Sequence, residues 1–245
     1  MNLLIDQGNT TTKYVVVQND EIVAEQTLAN IDFEVLRILT DEFDIKNTLV
    51  SSVREEYDKV AQGLQDILGN SVIFFDDTLL LPVNNLYTTP KTLGRDRMAG
   101  VCGAAKLFPN TNCLVIDAGT CITYDFIDAE KNYHGGSISP GLEMRFKAMH
   151  TFTGKLPLAP LEWVDDFTGN STQTSLQTGV AYGVVNEING FINRYTQRWG
   201  NIMTIMCGGN TDFLAKRCES EIFAAPKLVT IGLNQILKHN LPHGA

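Results

Sequence analysis

Two stretches of the chain set a carboxylate, a glycine and hydroxyl or amide side chains in the same order behind an apolar run. The first is Leu3-Leu4-Ile5-Asp6-Gln7-Gly8-Asn9-Thr10, continued by Thr11, Thr12 and Lys13. The second is Leu114-Val115-Ile116-Asp117-Ala118-Gly119-Thr120, with one residue fewer in the turn. In each, the apolar run reads as a buried strand that delivers the aspartate to its end. The glycine then lets backbone N–H groups approach phosphate oxygens with no Cβ in the way. Two such loops facing each other are suited to clamp a triphosphate. Asp6 and Asp117 would then hold a metal ion, a metal-bound water or another cation rather than the anion itself. Lys13 is the positive charge beside the first loop. An isolated Asp-x-Gly is ordinary turn chemistry; its recurrence in matching strand context is the informative feature.

The elements that must position these loops follow from apolar spacing. Three antiparallel strands are predicted to open the chain: the run ending at Asp6, Tyr14 to Val17, and Glu21 to Gln26 after an Asn19-Asp20 turn. Phe33, Leu36 and Leu39 predict a helix over 33–43; a strand over 48–52, a helix over 55–68 and a strand over 72–75 follow. Gly94 to Leu107, with the small-residue run Ala99 to Ala105, reads as a tightly packed helix. Strands over 121–127 and 133–138 then extend the second copy of the motif into a complete three-strand unit, so two related domains are expected. Beyond it come helices over 142–150 and 174–199, a strand over 202–206, a Gly208-Gly209 turn, and helices over 211–218 and 228–239. Asp6 and Asp117 lie 111 residues apart, a domain's length, which divides the chain into 1–111 and 112–245, with the last helix free to pack back on the first domain.

Composition bounds the partners. With 245 residues, 44% hydrophobic and 19% charged, the chain can bury a full core, which argues against disorder. A net charge of −9 disfavours adhesion to nucleic acid or to anionic membrane, so neither is expected as a partner, and a small anionic ligand needs a locally basic pocket. The N-terminus lacks the pattern of a secretory leader and no apolar stretch approaches the ~18 residues of a membrane span, which reads as cytoplasmic. Five cysteines without a C-x-x-C pair suggest neither disulfides nor zinc, and the four histidines have no metal-ligand spacing. Neither G-x-x-x-x-G-K-[ST] nor a G-x-G-x-x-G after the first strand occurs, which weakens P-loop and dinucleotide readings.

The duplicated motif resembles that of the actin, chaperone ATPase and sugar or acetate kinase superfamily. This implies an α/β fold of two duplicated ribonuclease H-like (actin-like ATPase) domains with a nucleotide cleft between them. Within that superfamily the chain resembles type III pantothenate kinases. The resemblance is carried by Asp6 to Lys13, Tyr87-x-x-Pro90-x-x-Leu93-Gly94-Arg95-Asp96-Arg97, Asp117 to Thr120, Gly135 to Gly141, Thr172 with Gly179, and Cys207-Gly208-Gly209, in family order over most of the chain. Gln7 stands where the family usually has an apolar residue and Cys207 where threonine is usual; the segment 155–170 matches less well.

The resemblance implies ATP-dependent phosphorylation of pantothenate by a homodimer, with Mg²⁺ on ATP and potassium or ammonium as activator. It assigns Asp6, Gln7, Gly8, Asn9, Thr10, Thr11, Thr12, Lys13 and Thr120 to ATP, and Tyr87, Gly94, Arg95, Asp96, Arg97 and Thr172 to pantothenate. Asp117 goes to the monovalent cation. Phosphorylating an alcohol requires a group that takes the hydroxyl proton. Asp96 is the candidate base, since Arg95 and Arg97 keep it ionised and offer a site for an anion. The structural alternative is an Asp–Arg pair capping the following helix. Likewise Tyr87 can be a half-buried aromatic and Thr172 the opening of the long helix. Two other functions remain compatible: a superfamily kinase with another acceptor, and a non-catalytic nucleotide switch.

Overall fold

The structure, a computed structural model, describes residues 1–8, 10–52, 57–69 and 72–242. It divides into two compact units. One comprises Met1–Leu107 with the C-terminal segment from Leu228, and the other Phe108–Lys227. The break in packing thus precedes the expected border at 111/112, and the segment from Leu228 belongs with the first unit.

In the first unit β1 (Asn2–Gln7) is the central strand, with Leu3, Leu4 and Ile5 all buried. It pairs antiparallel with β2 (Thr12–Gln18), which pairs with β3 (Glu21–Leu28), and parallel with β4 (Asn47–Ser52), which pairs with β5 (Val72–Phe74). The sheet order is β3-β2-β1-β4-β5. Helix α1 (Phe33–Glu42) starts where Asp32 Oδ1 accepts from the Glu34 N–H at 2.9 Å, and it buries Leu36 and Leu39 on the sheet. Helix α2 spans Tyr57–Leu68; Glu55, where the sequence places its start, lies outside the described residues. A two-residue strand β6 (Asn84–Asn85) and a 3₁₀ turn at Pro90–Thr92 lead into α3 (Arg95–Leu107).

The small residues of α3 admit the last helix, α7 (Leu228–Asn240), at backbone distance. A Cβ on Gly103 would stand 2.4 Å from the Leu228 carbonyl oxygen, and one on Gly232 would stand 1.7 Å from that of Ala99. At the other end Asp20 accepts from Asn234 Nδ2 at 2.8 Å and pairs with Lys238. These contacts draw the chain's end back onto the first unit.

The second unit repeats the first. Strands β7 (Cys113–Ala118), β8 (Cys121–Ile127) and β9 (Asn132–Pro140) form the antiparallel ladder. After α4 (Leu142–Thr151) and α5 (Thr172–Trp199), β10 (Met203–Cys207) runs parallel to β7, and β11 (Phe223–Ala224) runs parallel to β10. The order β9-β8-β7-β10-β11 thus matches β3-β2-β1-β4-β5 strand for strand. The α5 residues Val180, Val184, Ile188 and Ile192 recur every four positions and are buried in this unit's core.

Some elements differ from expectation. Helix α5 begins two residues early because Ser171 and Thr174 form a reciprocal capping box. In place of one helix over 211–218, a single turn, α6 (Thr211–Leu214), tightens into a 3₁₀ turn at Ala215–Arg217, where the Arg217 guanidinium bonds the Phe213 carbonyl and lies over the Trp163 ring at 4.4 Å. Strand β11 is too short to give a sequence signal. The cysteines are free thiols, three of them buried. Among the described residues no helix is long and apolar enough to cross a membrane.

Candidate functional site

The first loop leaves β1 at Asp6 and returns at Lys13, which is its register partner across the antiparallel pair. Gly8 closes the turn by donating its N–H to the Thr11 carbonyl at 2.9 Å. Thr10, Thr11 and Lys13 are exposed; Asn9 lies outside the described residues. Thr12 differs, because strand alternation turns it inward: it is fully buried, and its hydroxyl has no hydrogen-bond partner among the described residues. Its side chain therefore faces the protein rather than the loop's open side.

Asp6 is half-buried, and burial is the largest influence on its carboxyl, whose pKa is pushed up to about 6. The nearby Asp96 carboxylate raises it further, while Lys13 and a hydrogen bond from Ser51 pull it down. Asp96 acts on Asp6 because the parallel register sets Asp6 beside Ser51 and Gln7 beside Ser52, at the strand ends that face the start of α3. Ser52 ties the two together. Its Oγ donates to Gln7 Oε1 at 2.8 Å, and its carbonyl accepts from Arg95 Nη1 at 2.6 Å. Gln7 is buried, and this hydroxyl satisfies an amide that stands where the resembled family usually carries an apolar side chain.

Asp96 is exposed at the N-terminus of α3, where its Oδ1 accepts from the Arg97 N–H at 2.8 Å. A Cβ on Gly94 would stand 2.5 Å from that oxygen, so glycine is what lets the carboxylate fold over the helix end. Arg97 is buried with its guanidinium 5.7 Å from the centre of the half-buried Tyr87 ring. One end of the first unit therefore gathers Asp6, Gln7, Lys13, Arg95 and Asp96, with the Tyr87–Arg97 pair on the same helix start. Asp96 is the second residue of α3 and, among the described residues, its carboxylate accepts only the backbone N–H of the next residue, which leaves it open to solvent.

In the second unit the register partner of Asp117 is Thr123 rather than a lysine. The Thr123 hydroxyl is buried with no partner among the described residues. Gly119 N–H donates to the Cys121 carbonyl at 3.0 Å and leaves Thr120 exposed, with the Thr120 carbonyl accepting from Gly141 N–H at 3.1 Å. Gly208, at φ 92°, lies so close that a Cβ there would stand 2.4 Å from Asp117 Oδ1, and Asn210 N–H donates to the Ala118 carbonyl at 3.0 Å. The Gly208-Gly209 turn is thus built against the Asp117 loop. Thr172 is the exposed first residue of α5, and its side chain makes none of the hydrogen bonds described within this unit.

Sequence reasoning passed over Ser51 and Ser52, whose roles arise from a parallel register with β1 and leave no local signal. Gly141 was visible in the Gly135 to Gly141 motif but not placed in the candidate site; its N–H bonds the carbonyl of Thr120 in the second loop.

The family model described as type III pantothenate kinase matches residues 2–194. The chain is 40% identical over 240 residues to the type III pantothenate kinase of Bacteroides fragilis strain YCH46, covering 98% of each chain. It is 39% identical over 242 residues to that of Christiangramia forsetii, covering 98% of this chain and 99% of the relative. Among solved structures, a Campylobacter jejuni protein described as a Baf family transcriptional activator superposes with TM-score 0.64 at 24% identity, covering 97% of this chain and 98% of the other. A Listeria monocytogenes protein described as an N-acetylmannosamine kinase gives 0.55 at 14% identity, covering 97% of each. These last two likenesses concern the fold, which is that of the actin-like ATPase and sugar kinase group. Motif order, the duplicated loops and matches over nearly the whole chain converge: the chain belongs to the type III pantothenate kinase family.

Proposed function

We propose that the protein transfers the γ-phosphoryl group of ATP to the hydroxyl of pantothenate, giving 4′-phosphopantothenate, the first step of coenzyme A biosynthesis. The observation that carries this reading is the placement of the start of α3 against the end of the Asp6 strand, where Arg95 Nη1 donates to the carbonyl of Ser52, the register partner of Gln7, at 2.6 Å. A phosphate loop and a solvent-open base at one end of one sheet are what in-line transfer to an alcohol requires.

In this reading Asp6, Gln7, Gly8, Asn9, Thr10, Thr11 and Lys13 meet ATP, with Thr12 contributing backbone only, and Thr120 meets ATP from the second loop. Lys13 offsets phosphate charge. Asp96 accepts the hydroxyl proton, Arg97 takes the substrate carboxylate beside Tyr87, and Gly94 and Arg95 shape the same pocket. Mg²⁺ would neutralise charge on the phosphates, and Asp6 fits its neighbourhood as a half-buried carboxylate short of positive charge. Asp117 would hold potassium or ammonium. An oxygen ligand facing a buried hydroxyl that has no partner among the described residues suits such a cation.

A homodimer belongs to this proposal. The pairing would cover the open groove of about 410 Å³ along α5 that Phe167, Gly179, Tyr182 and Gly183 line. An active monomer in sedimentation would remove it. The five free thiols suit the cytoplasm, where ATP is also available. The test of the reaction is to mix protein, magnesium ATP and pantothenate in potassium and then in sodium buffer. Phosphopantothenate in potassium is expected, with little in sodium. No product in either buffer, from folded protein that binds ATP, overturns the choice of acceptor.

A further inference from the structure

The middle of α5 carries a carboxylate that the scheme above leaves unused. Glu187 Oε1 accepts from the Tyr124 hydroxyl at 2.8 Å and from Ser139 Oγ at 2.5 Å, while Oε2 accepts from Arg145 Nη2 at 2.6 Å. The ion-paired side chains are 23% and 25% exposed, so the pair is partly screened from water. Arg145 reaches further: its Nε donates to the Pro140 carbonyl at 2.8 Å, and its backbone N–H donates to the Gly141 carbonyl at 3.1 Å. Gly141 in turn donates to the Thr120 carbonyl and packs so tightly that a Cβ would stand 2.4 Å from the Gly119 carbonyl oxygen and 2.5 Å from that of Thr120. An unbroken line of short contacts therefore runs from Glu187, through Arg145 and Ser139, into the backbone of the second loop.

A charge on a helix whose neighbouring face is Val180, Val184 and Ile188 costs desolvation that an apolar residue would avoid. What the charge gains is geometry. A guanidinium held by a carboxylate presents its remaining N–H at a set angle, and here that N–H meets the carbonyl one residue before Gly141. We propose that Glu187 is a positioning residue for nucleotide binding: acting through Arg145 and Ser139, it fixes the Ser139-Pro140-Gly141 segment and so sets the loop that presents Thr120 to ATP. The inference rests on the reading above in which Thr120 meets ATP.

The test compares the full-length protein with Glu187→Gln, which keeps shape and removes charge, and with Arg145→Lys, which keeps charge and loses the Nε link to Pro140. ATP affinity is measured by calorimetry without acceptor, and KM for ATP and for pantothenate by steady-state assay. Both variants should weaken ATP binding and raise KM for ATP about tenfold, the order expected for loss of a charge-assisted orienting hydrogen bond, with KM for pantothenate within about twofold of the parent. The double variant should be no worse than the poorer single one. If only Tm falls, or both KM values rise together, Glu187 is merely structural and the proposal is overturned. If Glu187→Gln does not fold, Arg145→Lys decides alone. Failure of the parent to phosphorylate pantothenate would count against the reaction, whereas the calorimetric ATP affinities would still decide the role of Glu187.

Discussion

Replacing Asp6 by asparagine should make the protein more stable and less active at once, and the pH dependence of the gain follows from its environment. The carboxyl titrates at about 6 in the folded protein against an ordinary 3.8, raised first by burial and then by Asp96. Below 3.8 the group is protonated whether the chain is folded or not, so it contributes no difference. Between 3.8 and about 6 the folded state holds the proton more firmly, so stability falls as pH rises through this window. Above about 6 the whole penalty of an ionised half-buried carboxylate is present. A displacement of this size is worth up to about 3 kcal/mol. The asparagine amide carries no charge to desolvate and does not repel Asp96. Without ligands, D6N should therefore melt about 5–10 °C above the parent at pH 8, with the advantage shrinking through pH 6 and gone near pH 4. Its kcat/KM for ATP should fall by on the order of 10²-fold if the proposed place of this carboxylate beside nucleotide and Mg²⁺ is right. Thermal melts from pH 4 to 8 with parallel kinetics give both readouts. A D6N variant no more stable than the parent at pH 8, or one whose advantage is the same at every pH, would refute the assignment of strain to this carboxyl.

Asp96→Asn should leave ATP affinity within about twofold while phosphoryl transfer drops 10²- to 10⁴-fold, roughly the contribution of a positioned base; an unchanged rate would remove Asp96 from that role. Gly232→Ala should lower stability by about 1–3 kcal/mol or more, because the new methyl meets the Ala99 carbonyl oxygen at 1.7 Å and backbone has little room to yield. A thermal melt equal to the parent's would show that α3 and α7 can move apart without loss.

Much of the architecture was legible along the chain. The recurrence of an apolar run, an aspartate and a glycine turn announced a duplicated unit, and the two sheets repeat one strand order. The strand and helix assignments rest on apolar spacing over long segments, where periodicity is unambiguous. Short or irregular pieces were not readable. Phe223–Ala224 becomes a strand through pairing with β10, and the helix after the Gly208-Gly209 turn ends early around Arg217, both outcomes of contacts with residues distant in sequence.

The site divides along the same line. Residue types, their order and their spacing belong to the linear chain; they single out Asp6, Lys13 and Asp117 as candidates through the repeated motif, while Asp96 is a candidate base through the family resemblance. That burial and then Asp96 raise the pKa of Asp6, that Ser52 joins Gln7 to Arg95, that Thr12 points inward while Lys13 points out, and that Gly141 and Glu187 stand behind the second loop are consequences of register and packing. A parallel pair such as β1 and β4 joins residues some forty-five positions apart, and Coulomb and hydrogen-bond energies depend on distance in space rather than separation along the chain. Local composition can name a group that titrates, but the neighbours that set where it titrates arrive only when the chain closes on itself.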